Sequence, residues 1–234
     1  MREKAIMFWS GGKDSAFALY KILQEDKYQV VTLITTINKE FDRVSMHGVR
    51  AELIEEQASS IGIPLHKMYV DGGSYNEYEE KLTSVLQEFV KQGIYKVIYG
   101  DIFLEDLKEY RDNLLLQVGM AGVYPLWQRS TSAIIVEFLD LEFSTTTCCV
   151  YTKFLTKKEV GQLVDKQFVD GLNSSVDPCG ENGEFHTFCW NGPIFKYPVP
   201  FSLGEKVFKP IQMPKETESK GVEGFWFCDL LSID

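Results

Sequence analysis

Ser10-Gly11-Gly12-Lys13-Asp14-Ser15 lies between a short apolar run, Ala5-Ile6-Met7-Phe8-Trp9, and a segment with Ala16, Phe17, Leu19, Tyr20 and Leu23 at helical spacing. The run before it predicts a buried strand and the segment after it a helix. Strand, glycine turn and helix together make a phosphate-binding arrangement. Two glycines let the backbone turn tightly with its N–H groups converging. The helix N-terminus adds unpaired N–H groups and partial positive charge at the same point. Ser10 and Ser15 supply hydroxyls, Lys13 a point charge and Asp14 a ligand for Mg²⁺. A Walker A loop is excluded, because Lys13 follows adjacent glycines and precedes an aspartate. A dinucleotide fingerprint is excluded too, since G-x-G-x-x-G is absent.

Outward from this loop, β-branched residues predict a second strand over 30–37. A polar stretch follows, then a helix over 50–61 that stops at Gly62. Strands are predicted at 65–70 and 96–99, and helices from a capping turn at 71–74 up to Gly93 and over 104–118. Strands thus alternate with helices, which predicts a parallel sheet covered on both faces. Beyond Pro125 the pattern changes. A helix is expected over 130–141, a strand over 143–154 and a short helix over 156–164, with Thr156 as cap and Glu159 in reciprocal position. Asn182-Gly183 reads as a hairpin turn, 215–220 as a charged turn and 224–230 as the last strand. The expected organisation is an α/β domain at 1–124 and a smaller α+β lobe at 125–234.

A chain of 234 residues with 44% hydrophobic content can fill a full core. Its formal net charge of -10 repels phosphate backbones and argues against broad nucleic-acid binding. No apolar run reaches membrane-spanning length and no signal peptide is visible, so a cytoplasmic protein is expected. Five cysteines with no C-x-x-C suit neither a disulfide framework nor a zinc or iron–sulfur site. A homodimer is left open as the assembly.

Ligands of open α/β sheets sit outside the carboxyl ends of the strands. Thr35-Thr36 with the His47 loop, the 71–74 turn and Gly100-Asp101 all fall there, beside the 10–15 loop. Asp101 suits Mg²⁺ or a substrate group, or else caps the next helix. Arg111 suits an anionic substrate group, or is a solvated arginine among acids. His66, inside an apolar run, reads as structural. A further group is Asp177-Pro178-Cys179-Gly180-Glu181-Asn182-Gly183-Glu184-Phe185-His186-Thr187. A turn explains Asn182 and Gly183, whereas Glu181, Glu184 and His186 suit substrate recognition or general base work.

The loop at 10–15 resembles the pyrophosphate loop (PP-loop) of the N-type ATP pyrophosphatases. With Met46-His47, Gly100-Asp101-Ile102, Pro125-Leu126-Trp127 and the segment at 180–184, nearly the whole chain resembles the diphthine–ammonia ligase family. That resemblance implies a Rossmann-like ATP-binding domain and an AMP-forming ligase, which adenylates a carboxylate and passes ammonia to it. It implies ATP bound through Ser10, Gly11, Gly12, Lys13, Ser15, Thr35, Thr36, His47 and Gly100. Mg²⁺ would sit on Asp14 and Asp101, and Lys13, Asp14 and Glu184 would be catalytic. The acceptor would meet Asp101, Arg111, Glu181, Glu184 and His186. The family pattern G-E-G-G-E-Y-E-T departs here to Gly180-Glu181-Asn182-Gly183-Glu184-Phe185-His186-Thr187, with His186 in place of an acid. In a bacterial member the acceptor would be something other than diphthine. Two other readings stand beside this one: a tRNA-thiolating PP-loop enzyme, kept open by Cys179, and a non-catalytic nucleotide sensor.

Overall fold

The computed structural model describes residues 2–71, 75–211 and 222–233. The apolar run forms β1 (Glu3–Phe8), with Ala5, Ile6 and Met7 fully buried, and leads through the glycine loop into α1 (Lys13–Glu25). Next come β2 (Tyr28–Asn38), a two-residue β3 (Arg43–Val44), α2 (Ala51–Ile61) and β4 (Leu65–Val70). Helix α2 ends as expected, with Gly62 left-handed and its N–H on the Ala58 carbonyl. Then follow α3 (Tyr75–Lys91), β5 (Lys96–Ile98), α4 (Glu105–Gln117) and β6 (Ala121–Val123).

Strands β4, β2, β1, β5 and β6 pair in parallel in that order, and β3 adds antiparallel to the end of β2. Chain order runs outward in both directions from β1, so the switch point lies between β1 and β5. The glycine loop leaves β1 there and Gly100-Asp101 leaves β5. One face of this sheet buries Ile6, Ile34 and Val97 against Leu82, Leu86 and Leu114 of α3 and α4.

The second half contributes α5 (Thr131–Asp140), β7 (Ser144–Tyr151), α6 (Lys166–Asp170), β8 (Phe185–Asn191), β9 (Phe201–Pro210) and β10 (Gly224–Ser232). Its strands form an antiparallel sheet in the order β8-β7-β10-β9. This lobe packs on the α1 and α2 side, where Met7, Leu33, Phe17 and Ile54 share one core with Phe138, Val150, Phe188 and Leu230. Asp229 of β10 fastens the lobe to the first half, accepting from Arg43 at 2.8 Å and from Arg50 at 2.8 Å. Those hydrogen bonds, Arg50 first, hold its carboxyl down at about 2.

Two expectations need correction. Residues 156–164 form turns, not a helix. Glu159 Oε2 does accept from the Thr156 N–H at 2.7 Å, as a capping box would. Gly161 is left-handed, however, and the Gly161 N–H and Gln162 carbonyl bond to Thr147 of β7 instead of continuing a helix. Asn182-Gly183 joins no two paired strands, because α6 and a coil precede β8 and the partner of β8 is β7. Helix α6 and strand β3 lack a long enough period to be seen in the sequence. Residues 72–74 of the expected capping turn, and the charged turn at 215–220, lie outside the described residues.

Candidate active site

The glycine loop is built from its own serines and tied down from a distance. Gly11 is left-handed at φ 79°, and a Cβ there would stand 2.5 Å from Ile54 Cδ1. Ser10 Oγ accepts from the Gly12 N–H at 3.2 Å, and Ser15 Oγ donates to the Gly12 carbonyl at 2.9 Å. The Gly11 carbonyl accepts from Cys189 N–H at 2.8 Å and from Gln57 Nε2 at 2.9 Å. Gln57, fully buried on the apolar face of α2, also receives Trp9 Nε1–H at 2.8 Å. The Lys13 N–H donates to Thr187 Oγ1 of β8 at 3.0 Å. Thus the C-terminal lobe holds the loop's shape. At β5 a Cβ on Gly100 would stand 3.0 Å from the Asp14 backbone, so only glycine lets β5 approach the first turn of α1 this closely.

Lys13 Nζ is buried and donates to both carboxylate oxygens of Asp14, at 2.7 and 2.8 Å. Burial pulls the Lys13 ammonium down, but Asp14, Cys179 and Glu181 outweigh it and hold it above its ordinary value. Burial lifts the Asp14 carboxyl, more than Lys13 lowers it. Asp101 is the next acid. It does not cap α4, whose N-cap is Leu104 without a side-chain bond. It pairs with Arg111 at 3.0 Å, and Arg111 also lies 4.3 Å over the Tyr99 ring. Burial raises the Asp101 carboxyl, against the pull of Arg111. Its Oδ2 is buried and, despite the ion pair, makes no hydrogen bond among the described residues.

The two glutamates of the 177–184 loop part company. Glu181 turns into the cleft, and its Oε1 accepts from Ile102 N–H at 2.7 Å. Burial, with Asp14 nearby, pushes its carboxyl up to about 7. Glu184 instead turns inward, 1% exposed, and accepts from the Asp177 N–H, the Asn182 N–H and Asn182 Nδ2 at 3.0 to 3.1 Å. It does not line the cleft. The expectation that Glu184 is catalytic is therefore corrected: its carboxylate is consumed in shaping the loop that presents Glu181.

The cleft, about 970 Å³, runs along the carboxyl edge of the parallel sheet. Ser10, Lys13, Asp14, Ser15, Thr36, His47, Gly100, Asp101, Arg111, Glu181 and His186 line it. Gly11 and Gly12 lie beneath, as backbone. Thr35 is the second residue placed elsewhere. Strand alternation sends Ile34 and Thr36 to the cleft and Thr35 to the opposite, buried face. His47 meets His186 with ring centroids 4.6 Å apart, and its Nε2 lies 3.2 Å from where a Gly12 Cβ would be. Burial lowers both imidazoles, His186 to about 4. An apolar wall of Phe8, Ile34, Val70, Leu82 and Leu114 completes the cleft. Sequence reading missed this wall, together with Thr187 and Gln57. Only Gln57, a polar residue at core spacing on α2, left a signal there.

A second cavity of about 590 Å³ lies in the C-terminal lobe, away from the loop. Its acids are engaged: Glu159 with Thr156, and Asp165 with the Phe168 N–H. No three His, Cys, Asp or Glu converge as a metal cage among the described residues. Mg²⁺ is commonly held by one or two carboxylates plus substrate phosphates. Asp14, paired with Lys13, and Asp101, paired with Arg111, are the two cleft carboxylates that fit that manner of binding.

Among curated relatives, a diphthine–ammonia ligase of Schizosaccharomyces pombe is 24% identical over 82% of this chain, which spans only 35% of that protein. The Rattus norvegicus diphthine–ammonia ligase is 25% identical over 88% of this chain and 85% of its own length. A solved structure, the U34-tRNA thiolase NcsA from Methanococcus maripaludis with its [4Fe-4S] cluster, matches 60% of this chain and 57% of its own at 14% identity and TM-score 0.38. Residues 3–122, the parallel sheet with its glycine loop, match the diphthamide synthase N-terminal domain. Residues 130–213, which supply the 177–184 loop and Thr187, match the diphthamide synthase C-terminal domain. Both halves of the cleft thus fall within matched segments, and the chain belongs to the diphthamide synthase family.

Proposed function

We propose that this chain is an ATP-dependent, AMP-forming amide ligase of the diphthine–ammonia ligase type. The observation that carries the reading is one cleft, at the β1–β5 switch point, that brings Lys13 and Asp14 of the loop opposite Glu181 of the C-terminal lobe. The names of the relatives above support it. The acceptor carboxylate attacks the α-phosphorus of ATP, giving an acyl-adenylate and pyrophosphate. Ammonia then displaces AMP, giving the amide and releasing one proton.

Each group has a task on this reading. The loop and Lys13 hold the β- and γ-phosphates, where negative charge grows as pyrophosphate leaves. Asp14 and Asp101 would hold Mg²⁺, which when bound would supply further charge neutralisation. The apolar wall suits a purine ring, and Thr36 lies beside it. Arg111 is already paired with Asp101, so it orients that acid and is only partly available to an anionic substrate. Glu181, with its carboxyl near neutrality, is matched to accept the proton that ammonia loses. The five cysteines are free and buried, and burial raises the Cys179 thiol, the opposite of what a sulfur-carrying nucleophile needs. No helix among the described residues is long and apolar enough to cross a membrane, and a cytoplasmic site of action is part of the reading.

ATP labelled at the α or the γ position tests it, with ammonia and a panel of carboxylic acids. AMP and pyrophosphate in equal amounts, dependent on one acid, are expected. ADP and free phosphate as the main products would refute it.

A further inference from the structure

We propose that Gln57 is a positioning residue for the pyrophosphate end of the reaction. It holds the Gly11–Gly12 peptide with its N–H toward the cleft, and it ties that orientation to strand β8 of the C-terminal lobe. This rests on the ligase reading above and adds to it a residue that does not itself line the cleft.

Gln57 stands on the buried face of α2 with Leu53, Ile54 and Ile61, and it is fully buried. A buried primary amide is costly unless its donors and its acceptor are matched. Here each is used. Nε2 donates to the Gly11 carbonyl at 2.9 Å and to the Cys189 carbonyl at 2.5 Å, and Oε1 accepts from Trp9 Nε1 at 2.8 Å. One side chain thus joins the end of β1, the glycine loop and β8. The Cys189 N–H reaches the same Gly11 carbonyl at 2.8 Å, so that oxygen has two donors, one from each half of the chain. The fit is steric as well, because a Cβ on Gly11 would stand 2.8 Å from Gln57 Oε1.

A trans peptide is planar, so its C=O and the N–H that follows point in opposite directions. With the Gly11 carbonyl drawn toward α2 and β8, the Gly12 N–H points the other way. Ser10 Oγ accepts it there at 3.2 Å, and Ser10 lines the cleft. That N–H is one of the donors an anion meets at the start of α1. Two adjacent glycines do not fix such an orientation themselves, since glycine crosses backbone regions closed to other residues. Without Gln57 the Gly11 carbonyl keeps one donor. Rotation of the Gly11–Gly12 peptide then turns a carbonyl oxygen, in place of an N–H, toward the phosphates. Gln57 carries no charge and lies behind the loop, so its effect falls on the pyrophosphate end of the cleft.

The test uses the full chain with Mg²⁺, and pyrophosphate and AMP as separate probes, in calorimetry well below the melting temperature. Gln57→Glu keeps the shape and the acceptor for Trp9 but loses the amide donors. Gln57→Leu removes the whole network. Leu53→Ala opens a void on the same buried helix face and leaves the network intact. Both Gln57 variants are expected to bind pyrophosphate at least roughly tenfold more weakly, as loss of one hydrogen bond to a charged group does, and AMP within about threefold of native. Leu53→Ala should lower the melting temperature and keep native affinity for both probes. Pyrophosphate binding within about threefold of native in either Gln57 variant would overturn the proposal. So would equal weakening of AMP, or a loss in Leu53→Ala as large as in Gln57→Leu, because each makes the effect one of stability alone. The native chain gives a readout that needs no variant: pyrophosphate should shift the side-chain amide resonances of Gln57, and unmoved resonances would also overturn the proposal. A native chain that binds no pyrophosphate would refute the ligase reading and the proposal together. Native binding that the Gln57 variants leave unchanged would refute the proposal alone.

Discussion

Glu184→Gln separates a loop-shaping carboxylate from a catalytic one. In the native chain Oε1 accepts from the Asp177 N–H and Asn182 Nδ2, and Oε2 accepts from the Asn182 N–H. A glutamine fills the same space but has one acceptor oxygen. With its carbonyl in the Oε1 position it keeps two donors and turns its own NH₂ toward the Asn182 N–H, donor against donor at 3.0 Å. The loss is one charge-assisted bond and the charge behind the other two, about 2–4 kcal/mol in all when a charged-group bond contributes roughly 1.5–3 kcal/mol. For a chain of this size that lowers the melting temperature by about 5–15 °C. Calorimetric melting gives the stability and labelled ATP the turnover. The expected variant melts early, binds ATP, and below its transition retains at least about a tenth of native turnover, because Glu181 is still present. A melting temperature within about 2 °C of native together with abolished turnover would refute the positioning role and return Glu184 to the chemistry.

Lys13→Ala should lower turnover on the order of 10²-fold or more, as loss of a preorganised donor to the leaving group does; a steady-state rate within about threefold of native would remove Lys13 from that role. Gly100→Ala forces a Cβ to 3.0 Å from the Asp14 and Ser15 backbones, and is expected to cost about 1–3 kcal/mol in denaturant melts. Glu181 carries an acid pushed up to about 7 in the fold from an ordinary 4.5. Between those values the unfolded chain has lost a proton that the folded chain keeps, so stability should fall as pH rises through this window. Glu181→Gln should flatten that slope in melts across pH, and an unchanged slope would place the titration elsewhere. ATP with Mg²⁺ should raise the melting temperature by mass action, and more than GTP does; an equal shift would contradict a purine site selective for adenine.

The sequence by itself determined the first half of the fold and the position of its loop. Apart from the two-residue β3, most strands and helices there carry a legible period, and Gly11, Gly62 and Gly100 sit where the backbone needs them. It also placed Lys13, Asp14 and Asp101 together, because in an open parallel sheet every loop after a strand ends at the same edge. Only the tertiary structure decided which neighbouring residue faces that edge. Both faces of β2 are buried, so Thr35 and Thr36 read alike in sequence, and only packing against α1 and α2 sends Thr35 away. In the same way, Glu181 and Glu184 are two acids three residues apart, and what separates them is the set of N–H groups left without partners where the loop folds over itself. Thr187 bonds the Lys13 N–H across 174 residues of chain, and His47 meets His186 across the two lobes. Such pairs leave no periodicity and no turn chemistry behind, because a side chain's partner is fixed by how the two sheets pack, and that packing depends on every residue in the shared core at once.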